Sequence, residues 1–243
     1  MVVGLGRTRP ALLERVRSDE QPVAAAVVAG RRPGRPVGIS PFVTGRPHRI
    51  VLVRHGETEW SRTKRHTGLT DVPLTEAGRE EAQMLGARLA GRAFAKVLVS
   101  PLGRATETCR LAGLEGPSET SEDLLEWDYG DYEGRTTADI RTEASGWTVW
   151  SGAIPGGEGV DDVGARADRV IAALEHVDGE AALVAHGHVL RVLAARWLGL
   201  EAATGRLLAL DTATLSVLGW EHETRVLRTW NESGGRDESA PTG

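Results

Sequence analysis

Between residues 48 and 230, short aliphatic runs alternate with stretches of helical periodicity. "RIVLV" (49–53), "KVLVS" (96–100) and "AALVA" (181–185) are continuous apolar runs, too short for helices and typical of strands buried on both faces. Between them, "EAGREEAQMLGARLAG" (76–91) predicts a helix, with Ala82, Leu85 and Leu89 at helical spacing and Thr75 as its N-cap. Further helices are predicted within "LGRATETCRLAG" (102–113), over 161–177 and over 188–200. "ATLSVLGWE" and "TRVLRTW" predict a closing hairpin. Helices separating buried strands imply a three-layer α/β/α sandwich around a mostly parallel sheet, with ligands at the carboxyl ends of the strands.

The flanks break this pattern. Residues 1–47 carry Pro10, Pro22, Pro33, Pro36, Pro41 and Pro47 among arginines and glycines, which predicts a disordered arm. Residues 231–243, "NESGGRDESAPTG", read as a flexible tail, leaving 48–230 as a single domain. Composition then narrows the classes. The net charge of −5 gives no overall basic footprint for nucleic acid or an anionic membrane. One cysteine, Cys109, allows neither an internal disulfide nor a cysteine-based zinc site, and no apolar run is long enough to span a bilayer. "PVAAAVVAG" (22–30) has the length of a signal-peptide core, but acids precede it and "RRPGRP" follows where a cleavage site would lie, so a cytoplasmic location is expected.

The chemistry sits where strands end. The first run exits into Arg54-His55-Gly56, the second into "SPLGRATET" with Arg104 on the first turn of a helix, and the third into His186-Gly187 at another helix start. If the first and third strands are neighbours, two arginines, two histidines and helix-end N–H groups converge on one anion site, and phosphate is the obvious anion. A neutral His55 could attack phosphorus in line while the other groups stabilise the equatorial oxygens. Gly56 and Gly187 are expected to let the phosphate approach the backbone.

In order, "RHGETEW", "TGLTDVPLTEAG", "SPLGRATET", "LLEWDYGDYEG" and "VAHGH" resemble the histidine phosphatase superfamily, the phosphoglycerate-mutase-like proteins, across roughly residues 49–220. The resemblance implies their fold. It also implies catalytic roles for His55 as the phosphorylated nucleophile, His186 as its partner and Glu126 as general acid, with Asp128 as the fallback. Arg54, Arg104, Ser61 and Gly187 would bind the substrate phosphate, although Ser61 stands where many members have asparagine. Thr67, Gly68 and Tyr129 would contact the rest of the substrate. Glu126 would have to stay protonated, which burial beside phosphate oxygens favours.

Within that family the chain leans towards hydrolysis. Thr137 stands where mutases carry lysine, His188 replaces an asparagine, and the segment after "DYEG" lacks a long arginine-bearing insertion. "YGDYEG", "GWTVW" and "PGGE" resemble the sedoheptulose-1,7-bisphosphatase type, which implies a small sugar phosphate or bisphosphate as substrate. Mutase-type phosphotransfer is the alternative. Trp147 and Trp150 are read as packing under the loop rather than as a lid. No metal or other cofactor is expected, because arginine and histidine supply the positive charge. A homodimer is compatible with the sequence, which does not set the oligomeric state. From a different class, "RRPGRP" (31–36) resembles arms that enter the DNA minor groove, or it is simply a charged linker. A non-catalytic regulatory protein would be expected to have lost His55 or Glu126, and both are present.

Overall fold

The computed structural model describes residues 46–114 and 118–234. The arm, "RRPGRP" and the tail therefore fall outside the described residues, except for Arg46, Pro47 and 231–234. Six strands form one sheet: β1 (Pro47–Arg54), β2 (Phe94–Val99), β3 (Ser118–Thr120), β4 (Gly179–Ala185), β5 (Leu215–Glu221) and β6 (Thr224–Glu232). Their order is β3-β2-β4-β1-β5-β6; the first four are parallel, and β5 and β6 close the sheet antiparallel. The sheet thus takes in Pro47 from the segment read as arm, and Asn231 and Glu232 from the segment read as tail.

Each buried strand feeds two cores because side chains alternate across the sheet. Ile50, Leu52, Leu98, Leu183 and Ala185 face the helices α5 (Val160–Leu174) and α6 (Gly187–Trp197). Val51, Val53, Val97, Val99 and Val184 face α2 (Glu76–Leu89) and α3 (Gly103–Leu111). Thr75 caps α2 as expected, its hydroxyl accepting the Gly78 N–H at 3.0 Å. Three short elements carried no periodic signal. The helices α1 (Glu59–Arg62) and α4 (Thr137–Glu143) depend on capping boxes at Thr58/Ser61 and Thr136/Asp139, and all three residues of β3 are exposed.

Register positions the site. Arg54 pairs with Ala185 and Val99 with Val184, so β1, β2 and β4 all end at one level. The residues that follow, His55, Ser100 and His186, therefore emerge side by side at the carboxyl edge. The first and third aliphatic strands are neighbours, which is the condition for one anion site.

Candidate active site

His55 and His186 face each other with ring centroids 5.1 Å apart, and both are buried. Their partners assign opposite tautomers. The Nδ1 of His55 lies 2.7 Å from the Gly56 carbonyl, which can only accept, so Nδ1 carries the proton and Nε2 keeps its lone pair. Arg104 Nε donates to His186 Nδ1 at 3.2 Å, so that nitrogen is the acceptor; Nε2 of His186 then carries the proton and donates to Ser100 Oγ at 2.7 Å. Burial, followed by the charge of Arg104, holds both rings well below the ordinary histidine range. Both rings are neutral.

Arg54 donates from Nη1 to the Leu210 carbonyl, while its Nε is buried without a hydrogen-bond partner. Burial lowers its pKa, with Glu126 the largest opposing influence. Both glycines also make room for other parts of the protein. A Cβ on Gly56 would sit 2.2 Å from the Gly78 carbonyl oxygen, so this glycine lets the strand exit pack on the start of α2. A Cβ on Gly187 would sit 3.3 Å from Arg54 Cζ, so that glycine makes room for the guanidinium.

Arg104 is fully buried and held from several sides. Besides its bond to His186, it donates from Nη1 to Thr70 O at 2.9 Å and from Nη2 to Gly68 O at 2.8 Å and Thr67 O at 3.4 Å. Thr67 and Gly68 thus meet Arg104 through their carbonyls. Ser61 has a local duty: its hydroxyl accepts the Thr58 N–H at 2.9 Å and donates to the Thr58 carbonyl at 3.0 Å. It shares with Arg54, Glu57 and Asp211 a cavity of about 370 Å³ that does not include His55, Arg104 or His186.

Glu126 is buried at the start of α6, where Oε1 accepts the N–H groups of Trp127 (3.0 Å) and Val189 (2.9 Å) and Oε2 accepts that of His188 (3.0 Å). A carboxylate at a helix N-terminus interacts favourably with the helix dipole. N–H donors face both oxygens, two on Oε1 and one on Oε2. Asp128 is turned elsewhere, its Oδ1 accepting the Gly130 N–H within its own turn at 2.9 Å. The loop carrying Glu126 is tied by Arg166, which pairs with Glu158 at 2.7 Å and donates to the carbonyls of Asp123 and Leu125.

A wall of rings completes the site. The Tyr129 hydroxyl lies 2.6 Å from His188 Nδ1, and the Tyr129 ring is 4.8 Å from that of His66. Burial raises the Tyr129 pKa well above its usual value, lowers that of His188 and brings that of His66 to about 4. Thr137, at the position of the mutase lysine, bonds His66 Nε2 at 3.1 Å. Trp147 packs edge-on against His66, and Trp150 against Trp127 and His188, as packing residues would. Ser100, Glu133, Glu158, Arg166 and His66 are given no role in the sequence reading, although "SPLGRATET", "DYEG" and "PGGE" contain the first three and "TGLTD" follows His66. Among the described residues no group of three or more His, Cys, Asp or Glu could hold a metal ion, and no helix is long and apolar enough to cross a membrane.

The family model described as "Histidine phosphatase superfamily (branch 1)" matches residues 50–233. The chain is 43% identical over 193 residues to an acid phosphatase of Mycobacterium tuberculosis, covering 78% of this chain and 95% of the relative. It is 35% identical over 188 residues to the sedoheptulose 1,7-bisphosphatase of Saccharomyces cerevisiae, covering 63% and 68%. Among solved structures, that of the open reading frame Rv3214 from M. tuberculosis superposes with a TM-score of 0.74 at 42% identity, covering 78% of this chain and 100% of the other. A mycobacterial glucosyl-3-phosphoglycerate phosphatase complexed with VO3 gives 0.69 at 31% identity, covering 76% and 100%.

Proposed function

The chain belongs to the histidine phosphatase superfamily, and from that membership we propose that it hydrolyses a small sugar phosphate or bisphosphate with His55 as nucleophile. It is a phosphatase of the metal-independent type found in this family. The observation that carries the assignment is the neutral His55, its Nε2 lone pair free, buried beside Arg54, Arg104 and His186.

In the first step His55 Nε2 attacks phosphorus in line, forming the N–P bond as the P–O bond to the sugar breaks. Glu126 supplies the proton to the departing alkoxide, so the alcohol leaves neutral. Arg54, Arg104 and the Nε2–H of His186 stabilise the equatorial oxygens, joined by the Gly187 N–H, the helix donor that Glu126 does not take. In the second step water attacks the phosphohistidine, Glu126 accepts its proton, and phosphate departs. The two buried arginines hold the site's positive charge without a metal.

The likeness to a sedoheptulose bisphosphatase and to a glucosyl-3-phosphoglycerate phosphatase supports a sugar-derived substrate. The part-exposed rings of His66 and His188, backed by the buried Tyr129, offer flat faces with polar edges, suited to the C–H and O–H faces of a sugar. From the acids before and the "RRPGRP" after the apolar run 22–30, we place this activity in the cytoplasm. The test is phosphate release from a panel of phosphorylated metabolites, with and without EDTA. Sugar phosphates turned over in EDTA, with vanadate as inhibitor, are the expected result. Loss of turnover on chelation, restored by magnesium, would contradict the proposed chemistry.

A further inference from the structure

We propose that Glu133 is a positioning residue that sets the phosphate-binding geometry of Arg104 through loop 67–71. This rests on the reading of Arg104 as a phosphate ligand. One carboxylate oxygen, Oε1 of Glu133, accepts the N–H of Gly68 at 2.8 Å and of Thr70 at 3.1 Å. The carbonyls of the same two residues accept from Arg104, at 2.8 and 2.9 Å. The peptide groups of one short loop are therefore gripped by a carboxylate through their N–H groups and by the guanidinium through their C=O groups.

Two further observations make the clamp tight. A Cβ on Gly68 would meet Glu133 Oε2 and the Trp127 carbonyl oxygen, each at 2.6 Å, so glycine is what allows this closeness. Glu133 is itself seated at the end of a turn, its N–H on the Gly130 carbonyl at 3.1 Å, while the next residue, Gly134, donates to His66 O at 2.9 Å. On the opposite flank, Asp71 Oδ2 accepts the Gly103 N–H at 2.9 Å, and its Oδ1 lies 3.8 Å from Arg104 Nη1. The charge of Glu133 also reaches Arg104 and favours its protonated form. Without Glu133, two N–H groups of the loop lose their acceptor, the Gly68 and Thr70 carbonyls shift, and the guanidinium that hangs on them turns away from the phosphoryl position.

The test is orthovanadate affinity, measured by titration alongside kcat and KM, for Glu133→Ala, Glu133→Gln, Arg104→Ala and the double variant Glu133→Ala/Arg104→Ala. Misplacement of about an ångström at a site can cost on the order of 10²-fold. Glu133→Ala is expected to weaken vanadate binding and raise KM by about 10- to 100-fold, and Glu133→Gln, which keeps an oxygen acceptor, to recover most of that loss. In the Arg104→Ala background, Glu133→Ala should add nothing, because its effect runs through the missing guanidinium. Where Glu133→Ala fails to fold, Glu133→Asp, one methylene too short to reach the loop, reads the same quantity. Wild-type vanadate affinity in the Ala or Asp variant, or losses that add independently to those of Arg104→Ala, would overturn the proposal. Unchanged affinity in Arg104→Ala itself would instead overturn the reading of Arg104 on which it rests.

Discussion

The sequences "VRHGE" and "VAHGH" end adjacent parallel strands in the same way, yet they deliver two histidines with opposite chemistry. At His55 the neighbour is a carbonyl, which accepts a hydrogen bond from Nδ1–H and so leaves the lone pair on Nε2. At His186 the neighbour is Arg104, which claims the Nδ1 lone pair and makes Nε2 a donor. A strand end and a glycine bring an imidazole to the anion site. What it does there is decided by one hydrogen-bond partner, which for His55 is the carbonyl of the next residue and for His186 an arginine 82 positions away.

The sharpest way to break this contrast is to delete each ring. His55→Ala removes the atom that bonds to phosphorus and should lower kcat by at least about 10⁴-fold, a loss comparable to that of a lost triad nucleophile. His186→Ala removes only a donor to the transition state and should cost about 10²–10³-fold, as for one oxyanion-hole group. Acid-labile phosphoprotein, trapped by rapid quench, should vanish in the first variant and persist in the second. Equal losses, or activity in His55→Ala within tenfold of wild type, would end the distinction.

Glu126 extends the contrast, since it acts on the leaving oxygen rather than on phosphorus. Glu126→Gln should slow sugar phosphates by about 10²–10⁴-fold. For an aryl phosphate whose leaving group departs as a stable anion, the first step should be far less affected and appear as a burst before slow dephosphorylation. The same contrast in Asp128→Asn alone would move the acid to Asp128, against the turn that holds that carboxylate.

The unequal legibility of these parts has a physical origin. Strand ends are visible because an aliphatic run that stops at Arg-His is costly unless the polar pair meets partners, so His55, His186, Arg54 and Arg104 could be read from the residues. The sheet was legible for the same reason, its strands being continuous apolar runs. Glu126 sits in a loop with five other acids, Glu122, Asp123, Asp128, Asp131 and Glu133, and only family resemblance singled it out. Glu133 and the Glu158–Arg166 pair act through backbone groups far away in sequence, and such contacts leave no period to detect. The packing of Gly56 on Gly78, where a Cβ would not fit, likewise joins residues distant in sequence and leaves no pattern to read.

Burial of neutral histidines has a cost that appears on acidification. His66 is held at about 4 by burial, against an ordinary value of 6.5. Between those values the unfolded chain binds a proton that the folded chain does not, so stability falls as pH drops below about 6.5 and levels off near 4. Over that window the contribution from His66 is at most about 3 kcal/mol. His55, His186 and His188 are shifted in the same direction and add to the loss. Thermal melts from pH 7.5 to 4.5 should show a steep fall, shallower in His66→Gln. A flat profile would mean that these rings are not neutral in the folded protein.

The smallest expected effect tests the tautomer of His186 directly. Ser100 Oγ is the acceptor 2.7 Å from His186 Nε2, and both groups are fully buried. Ser100→Ala leaves that N–H without its partner in the free enzyme. A buried donor left unsatisfied costs about 1–3 kcal/mol, which for a domain of this size is a drop in Tm of several degrees. Catalysis should suffer less than stability, because a phosphoryl oxygen in the occupied site offers the same proton a new acceptor. Loss of the serine's competition for that proton also favours the bound state. The expected outcome is a lower Tm in the free enzyme, with the difference from wild type narrowing when vanadate is added, and a kcat/KM within about tenfold of wild type. If Ser100→Ala instead melts like wild type without vanadate, Ser100 is not the acceptor, and the opposition between the two histidines fails at its second member.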